Sequence, residues 1–202
     1  MRIMNNHLRN KAEEIIAILS EMTEVNNCTV YGSLSTNTCD ELSDIDINID
    51  VSGCDNGQFM IRLVEMLKKK LSVYFYDYAP SLIPDRYIVS VAIDEYNPFL
   101  IVDIQCSAEP HCTTVTKQQV AQLNSEFTHI LKLWIANLKH YVRGVECYDD
   151  IVRMAHRLNL HDVDVKDEIN LLEDTLNWLE CNSSDELSTF ITSCREKFNE
   201  LL

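Results

Sequence analysis

Residues 44–51 read Asp-Ile-Asp-Ile-Asn-Ile-Asp-Val, a strict alternation of polar and apolar side chains. Successive side chains on a strand point to opposite faces. This segment therefore predicts a strand with one face in a core and the other carrying Asp44, Asp46, Asn48 and Asp50. Such a strand needs a sheet beside it and helices over its apolar face. The neighbouring sequence supplies both. Cys28 to Tyr31 (CTVY) reads as a short strand ending at Gly32. Leu71–Tyr78, Tyr87–Ile93 and Phe99–Cys106 read as three more. Residues 5–25 place Leu8, Ala12, Ile15, Leu19 and Met22 at helical spacing, and residues 58–71 read as a second helix.

The character changes after Pro110. From Lys117 to Leu202 there is no proline, and Gly144 is the sole glycine. Val120, Leu123, Phe127, Ile130, Leu131, Trp134, Ile135 and Leu138 recur at helical spacing. Further helices are predicted near 147–158, 165–181 and 185–201. Ser183 and Glu186 fit a capping box opening the last of these. The pattern predicts an α/β half followed by a helical half.

Composition narrows the function classes. The chain has 202 residues and a formal net charge of −15. Nucleic-acid binding depends on Lys and Arg neutralising phosphates, so this balance argues against a polynucleotide partner. It favours cationic small molecules by long-range steering. No apolar run approaches the roughly 18 residues of a membrane span, and no signal peptide is visible, so a cytoplasmic protein without a membrane partner is expected. Eight cysteines occur without any CxxC. Cys106, His111 and Cys112 cluster but lack a second ligand pair, and the cysteines read as free thiols in a reducing compartment.

The chemistry is concentrated in Val30-Tyr31-Gly32-Ser33, ten residues, then Asp44-Ile45-Asp46. Asp44 and Asp46 present two carboxylates side by side, which repel unless a cation lies between them. Hard oxygen ligands at this density suit Mg²⁺, which keeps waters and substrate phosphates in its shell. Gly32 lets backbone approach a phosphate without a Cβ in the way. Ser33 offers a hydroxyl, and its N–H opens a short helix suited to anions. Asp103 stands in the otherwise apolar Phe99-Leu100-Ile101-Val102-Asp103-Ile104, where a lone charge is costly without a reason such as a metal.

Gly-Ser, ten residues, Asp-x-Asp and a later Asp on an apolar strand together resemble the DNA polymerase β-type nucleotidyltransferase superfamily. The likeness covers residues 28–106 and is most like the small bacterial antibiotic nucleotidyltransferases that act on aminoglycosides or lincosamides. The resemblance implies an α+β fold: a nucleotidyltransferase α/β domain with a mixed sheet over residues 1–112, then a helical bundle over residues 113–202. It implies Mg²⁺ held by Asp44, Asp46 and Asp103, which are also the catalytic residues, and a nucleoside triphosphate, ATP by preference, on Gly32 and Ser33. Leu138-Lys139-His140-Tyr141-Val142-Arg143-Gly144 is similar to a helix that follows the sheet in that family, which puts Lys139 or Arg143 toward the triphosphate. Some members carry a Glu general base on this helix. Phe127 to Val142 contains no carboxylate, so the base is unassigned.

The activity implied is transfer of a nucleoside monophosphate to a hydroxyl of a small molecule such as an antibiotic, with release of pyrophosphate. Antibiotic members are sometimes dimers, so the resemblance permits a homodimer. Two alternatives stand beside it: adenylylation of a protein partner, as in the minimal antitoxin-like members, and a non-catalytic nucleotide-binding module. Asn48 and Asp50 lie further along the same strand face and read as its solvated edge. Lys68-Lys69-Lys70 suits the end of a helix dipole. His140 and His156 read as ordinary core or surface residues, and Trp134 and Trp178 as core.

Overall fold

The computed structural model describes residues 2–79, 83 and 86–202. The chain divides into two compact units, Met1–Asp94 with Leu100–Asn124, and Glu95–Phe99 with Ser125–Leu202. Together the elements make an α+β protein.

The first unit begins with helix α1 (Arg2–Ser20) and strand β1 (Asn27–Tyr31), followed by the short helix α2 (Gly32–Thr36) and strand β2 (Ile45–Asp50). Helix α3 (Asn56–Lys68) precedes strands β3 (Phe75–Ala79), β4 (Arg86–Ala92) and β5 (Ile101–Ser107). The described strands form one mixed sheet in the order β1-β2-β5-β4-β3. β2 and β5 run parallel, and the other pairs are antiparallel.

The alternation of β2 survives intact: Ile45, Ile47 and Ile49 are fully buried, while Asp46, Asn48 and Asp50 are half-buried. On the apolar face these isoleucines join Val102, Ile104 and Cys106 of β5 and Val89 and Val91 of β4. Leu8, Ala12, Ile15 and Leu19 of α1 and Phe59, Leu63 and Leu67 of α3 complete this core. Each fully buried isoleucine contributes roughly 1.5–3 kcal/mol, so the apolar set of β2 fixes which face looks outward.

Residues 113–124, including helix α4 (Lys117–Ala121), pack back onto this unit. The Tyr87 hydroxyl donates to the Val115 carbonyl at 2.8 Å, and the Tyr78 N–H donates to Asn124 Oδ1 at 2.7 Å. α4 opens with a capping box between Thr116 and Gln119 that sequence reading did not anticipate.

The second unit contains helices α5 (Glu126–Val142), α6 (Tyr148–Arg157), α7 (Glu168–Asn182) and α8 (Ser188–Leu201). Trp134 is fully buried there, and its indole N–H donates to the Leu172 carbonyl at 2.9 Å. The expected capping box at Ser183 and Glu186 is not formed. α7 runs to Asn182 and takes Ser183 as its C-cap, and Ser184 precedes a 3-10 turn without a side-chain cap bond. The strand expected from Leu71 starts at Phe75, because Lys70 and Leu71 still donate to the Leu67 carbonyl and extend the exit of α3. Among the described residues no helix is long and apolar enough to cross a membrane.

Asp55 ties the helix to the returning loop. Its Oδ1 accepts the Gln58 N–H at the start of α3, and its Oδ2 accepts the N–H and hydroxyl of Thr114 at 2.6 and 2.7 Å. Burial alone would raise this carboxyl, but the hydrogen bonds from Gln58, Thr114 and Thr113 outweigh it and hold it below its ordinary value. Such a group stabilises the fold above the unfolded-state pKa of about 3.9, and the contribution is lost as pH falls through the lower folded value. Asp55→Ala is therefore expected to cost about 1–2 kcal/mol at neutral pH in urea denaturation. The gap to wild type should narrow below about pH 4.

Candidate functional site

β1 ends at Tyr31, and Gly32 turns the chain into α2 with φ +65, a backbone region that L side chains rarely adopt. The helix closes after one turn, where Asn37 also takes a positive φ and the Thr38 N–H donates to the Ser33 carbonyl at 3.0 Å. Ser33 is half-buried in this turn. A second constraint acts on Gly32: a Cβ there would lie 2.1 Å from Oδ2 of Asp46. The Gly32 backbone thus sits directly against the Asp46 carboxylate.

Strand pairing builds the rest. Asp46 pairs in register with Tyr31 on one side and Asp103 on the other. Asp103 pairs with Ser90, and Ser90 with Asp77. The row Tyr31–Asp46–Asp103–Ser90–Asp77 crosses all five strands on the face opposite the isoleucine core. Neighbouring strands lie about 4.8 Å apart, so the Asp46 and Asp103 carboxylates are close neighbours. The Ser90 hydroxyl donates to Oδ1 of Asp103. Ser90 and Asp77 are each only 1% exposed. Sequence reading missed both. Asp77 carries the signal that singled out Asp103, a lone carboxylate in an apolar strand, whereas Ser90 becomes visible only through the register.

Asp44 stands one residue before the first paired residue of β2 and is half-buried. It is delivered by a turn in which Asp40 Oδ1 accepts the Leu42 N–H and the Ser43 hydroxyl at 3.0 and 2.8 Å. Further along β2, Asn48 accepts from Gln105 at 3.1 Å, and Asp50 Oδ1 accepts the N–H and hydroxyl of Ser52. Those contacts engage the outer polar positions in local structure. Lys139 and Arg143 belong to the second unit. Lys139 is 3% exposed, and its ammonium donates to the Phe99 carbonyl at 2.7 Å. Arg143 is the exposed C-cap of α5.

The electrostatics are negative across the row. Tyr31 is pushed up to about 12, first by burial and then by the charges of Asp46 and Asp103, with Arg86 acting in the opposite sense. Among the described residues no three His, Cys, Asp or Glu side chains converge as a metal-holding group. Two adjacent carboxylates nonetheless fit Mg²⁺, which is commonly held by one or two carboxylates with water and substrate phosphates completing the shell. Cys106 is buried, Cys112 is exposed, and His111 stacks on Tyr87.

Two substitutions probe this arrangement. Gly32→Ala combines a strained φ with overlap of the Asp46 carboxylate, and a loss of more than about 1 kcal/mol in denaturant stability is expected. Ser90→Ala removes the donor that orients Asp103. Any divalent cation held by Asp46 and Asp103 should bind roughly 10–100-fold more weakly to this variant in calorimetry. Affinity equal to wild type would show that Asp103 needs no such hold.

Residues 13–90 match the model of the family described as "Polymerase beta, Nucleotidyltransferase". A solved structure described as "structure of GLD-2/RNP-8 complex" aligns with a TM-score of 0.42 and 14% identity, over 98% of this chain and 62% of that chain. The present chain thus spans less than two thirds of that protein's length. No curated protein matches the chain. The segment bearing Gly32, Ser33, Asp44 and Asp46 is the part of the molecule that resembles the polymerase beta nucleotidyltransferases, and Asp103 enters the same row from β5, beyond the matched residues.

Proposed function

We propose that this protein is a Mg²⁺-dependent nucleotidyltransferase that moves a nucleoside monophosphate from a nucleoside triphosphate, ATP by preference, to a hydroxyl of a small molecule. The observation that carries this reading is the in-register pair Asp46 and Asp103 with the Gly32 backbone against Asp46. A bound divalent cation would supply charge neutralisation for the phosphates and lower the pKa of the attacking hydroxyl. Asp44, Asp46 and Asp103 are the residues proposed to hold it.

The chain's own groups do the positioning. Gly32 has no Cβ to overlap the Asp46 carboxylate, which leaves its backbone open to a phosphate, and Ser33 offers a hydroxyl and N–H to the phosphate oxygens. Ser90 occupies one oxygen of Asp103 and leaves the other for the cation or for the acceptor's proton. The acceptor oxygen bonds to the α-phosphorus as the bond to the β-phosphate bridge breaks. Its proton passes to a carboxylate of the site, and pyrophosphate leaves. Positioning and fixed charge supply most of the acceleration.

The acceptor follows from charge. A chain of net charge −15 favours a cationic small molecule such as an aminoglycoside over a polynucleotide. Lys139 is 3% exposed with its ammonium on the Phe99 carbonyl, so Arg143, which is exposed, is the stronger candidate of the two for the triphosphate. Protein adenylylation and nucleotide binding without turnover are the alternative outcomes of the test.

Pyrophosphate release is the measurement: purified protein, Mg²⁺ and each nucleoside triphosphate against a panel of aminoglycosides and lincosamides. Release that depends on one acceptor and falls at least about 100-fold in Asp46→Asn is expected. Nucleotide binding with no release for any pair would overturn the small-molecule reading.

A further inference from the structure

The second unit carries a groove of about 740 Å³ between α5 and α6. His129, Leu133, Ala136 and His140 follow one another at helical spacing and form a single stripe on its α5 side. α6 contributes Arg153, His156 and Arg157. Against these five nitrogen-bearing side chains the groove presents one carboxylate, Asp150, already paired with Arg153.

With histidines neutral, the lining still sets Arg153 and Arg157 against Asp150, a balance opposite to that of the chain, which has 32 acidic residues against 17 Lys and Arg. Three of its six histidines line this one groove. Guanidinium forks and imidazole N–H groups are donors suited to phosphate oxygens. Leu133, Ala136 and Met154 supply apolar surface of the kind that takes a flat ring. Asn137, 4% exposed, also lines the groove, and its amide donates to the Met154 thioether at 3.8 Å. Sulfur is a weak acceptor, so a ring nitrogen or carbonyl of a ligand would be a better partner for that amide.

We propose that the α5–α6 groove is a binding site for a nucleoside phosphate and needs no divalent cation. Arg157 and the imidazoles of His140 and His156 take the phosphates, while the base lies on Leu133, Ala136 and Met154 with its edge toward Asn137. The volume suits a mononucleotide, and the chain's net charge of −15 disfavours a longer strand. The site lies in the second unit and does not depend on the activity proposed for the sheet.

The test is calorimetric titration of the full chain with ADP in excess EDTA, which removes the cation that nucleotide binding at the sheet would require. One ADP per chain is expected. The double variant Arg157→Ser with His140→Ala alters two exposed side chains, so its thermal unfolding should match wild type, and its affinity should fall at least about tenfold. Asp46→Asn should bind ADP in EDTA as wild type does. Absence of binding in EDTA, undiminished affinity in a folded double variant, or loss of binding in Asp46→Asn would each overturn the proposal. Citrate binding as tightly as ADP, or a single-stranded oligonucleotide binding more tightly, would overturn the assignment to a nucleoside phosphate.

Discussion

The parallel pairing of β2 with β5 is the constraint on which the first unit depends. It sets Ile45, Ile47 and Ile49 beside Val102, Ile104 and Cys106 on one face and Asp46 beside Asp103 on the other. The two consequences are inseparable, because a slip of one residue would turn both sets over. The apolar set stabilises the register against the repulsion of the carboxylates. Burial of several aliphatic side chains outweighs one like-charge contact at a partly solvated surface by a wide margin. The core therefore holds the acidic row together against that repulsion.

Much of this was legible in the sequence, and the reason is periodicity. A strict two-residue alternation over residues 44–51 admits one half-buried strand and nothing else of that length. A lone Asp in an apolar run marks a strand whose polar residue has a partner. The short helix at Gly32–Ser33 followed from a strand ending in glycine. Strand starts were less legible, since Leu71–Tyr74 and Phe99–Leu100 are as apolar as the strands they precede. Their true boundaries depend on the exit of α3 and, for Phe99, on membership of the second unit. Ser90 was hidden for a different reason: its value comes from standing opposite Asp103, a relation made by register and by no local pattern. The capping boxes failed in the same way. Ser183 and Glu186 have the right spacing, but α7 persists until Ser183, whereas Thr116 and Gln119 form the box in a segment that carries only a weak helical pattern.

The distribution of charge also separates the two units. In the first, acids line one sheet face, and burial together with the charges of Asp46 and Asp103 raises Tyr31. In the second, the groove between α5 and α6 gathers imidazoles and guanidinium groups within a chain that is acidic overall. A net charge read from composition describes the average and conceals both concentrations.

The segment Glu95–Phe99 belongs to the second unit although the chain on either side of it belongs to the first. Its Phe99 carbonyl accepts the buried Lys139 ammonium, which needs an acceptor because an unsatisfied charge in the interior is costly. The polypeptide accordingly crosses between units three times, after residues 94, 99 and 124. No single scissile bond can release either unit as an intact fragment. A chain ending at residue 124 would keep the connection between β4 and β5 but strip it of the helix that anchors it. Connectivity alone thus links the units, because the second draws Glu95–Phe99 from between two strands of the first.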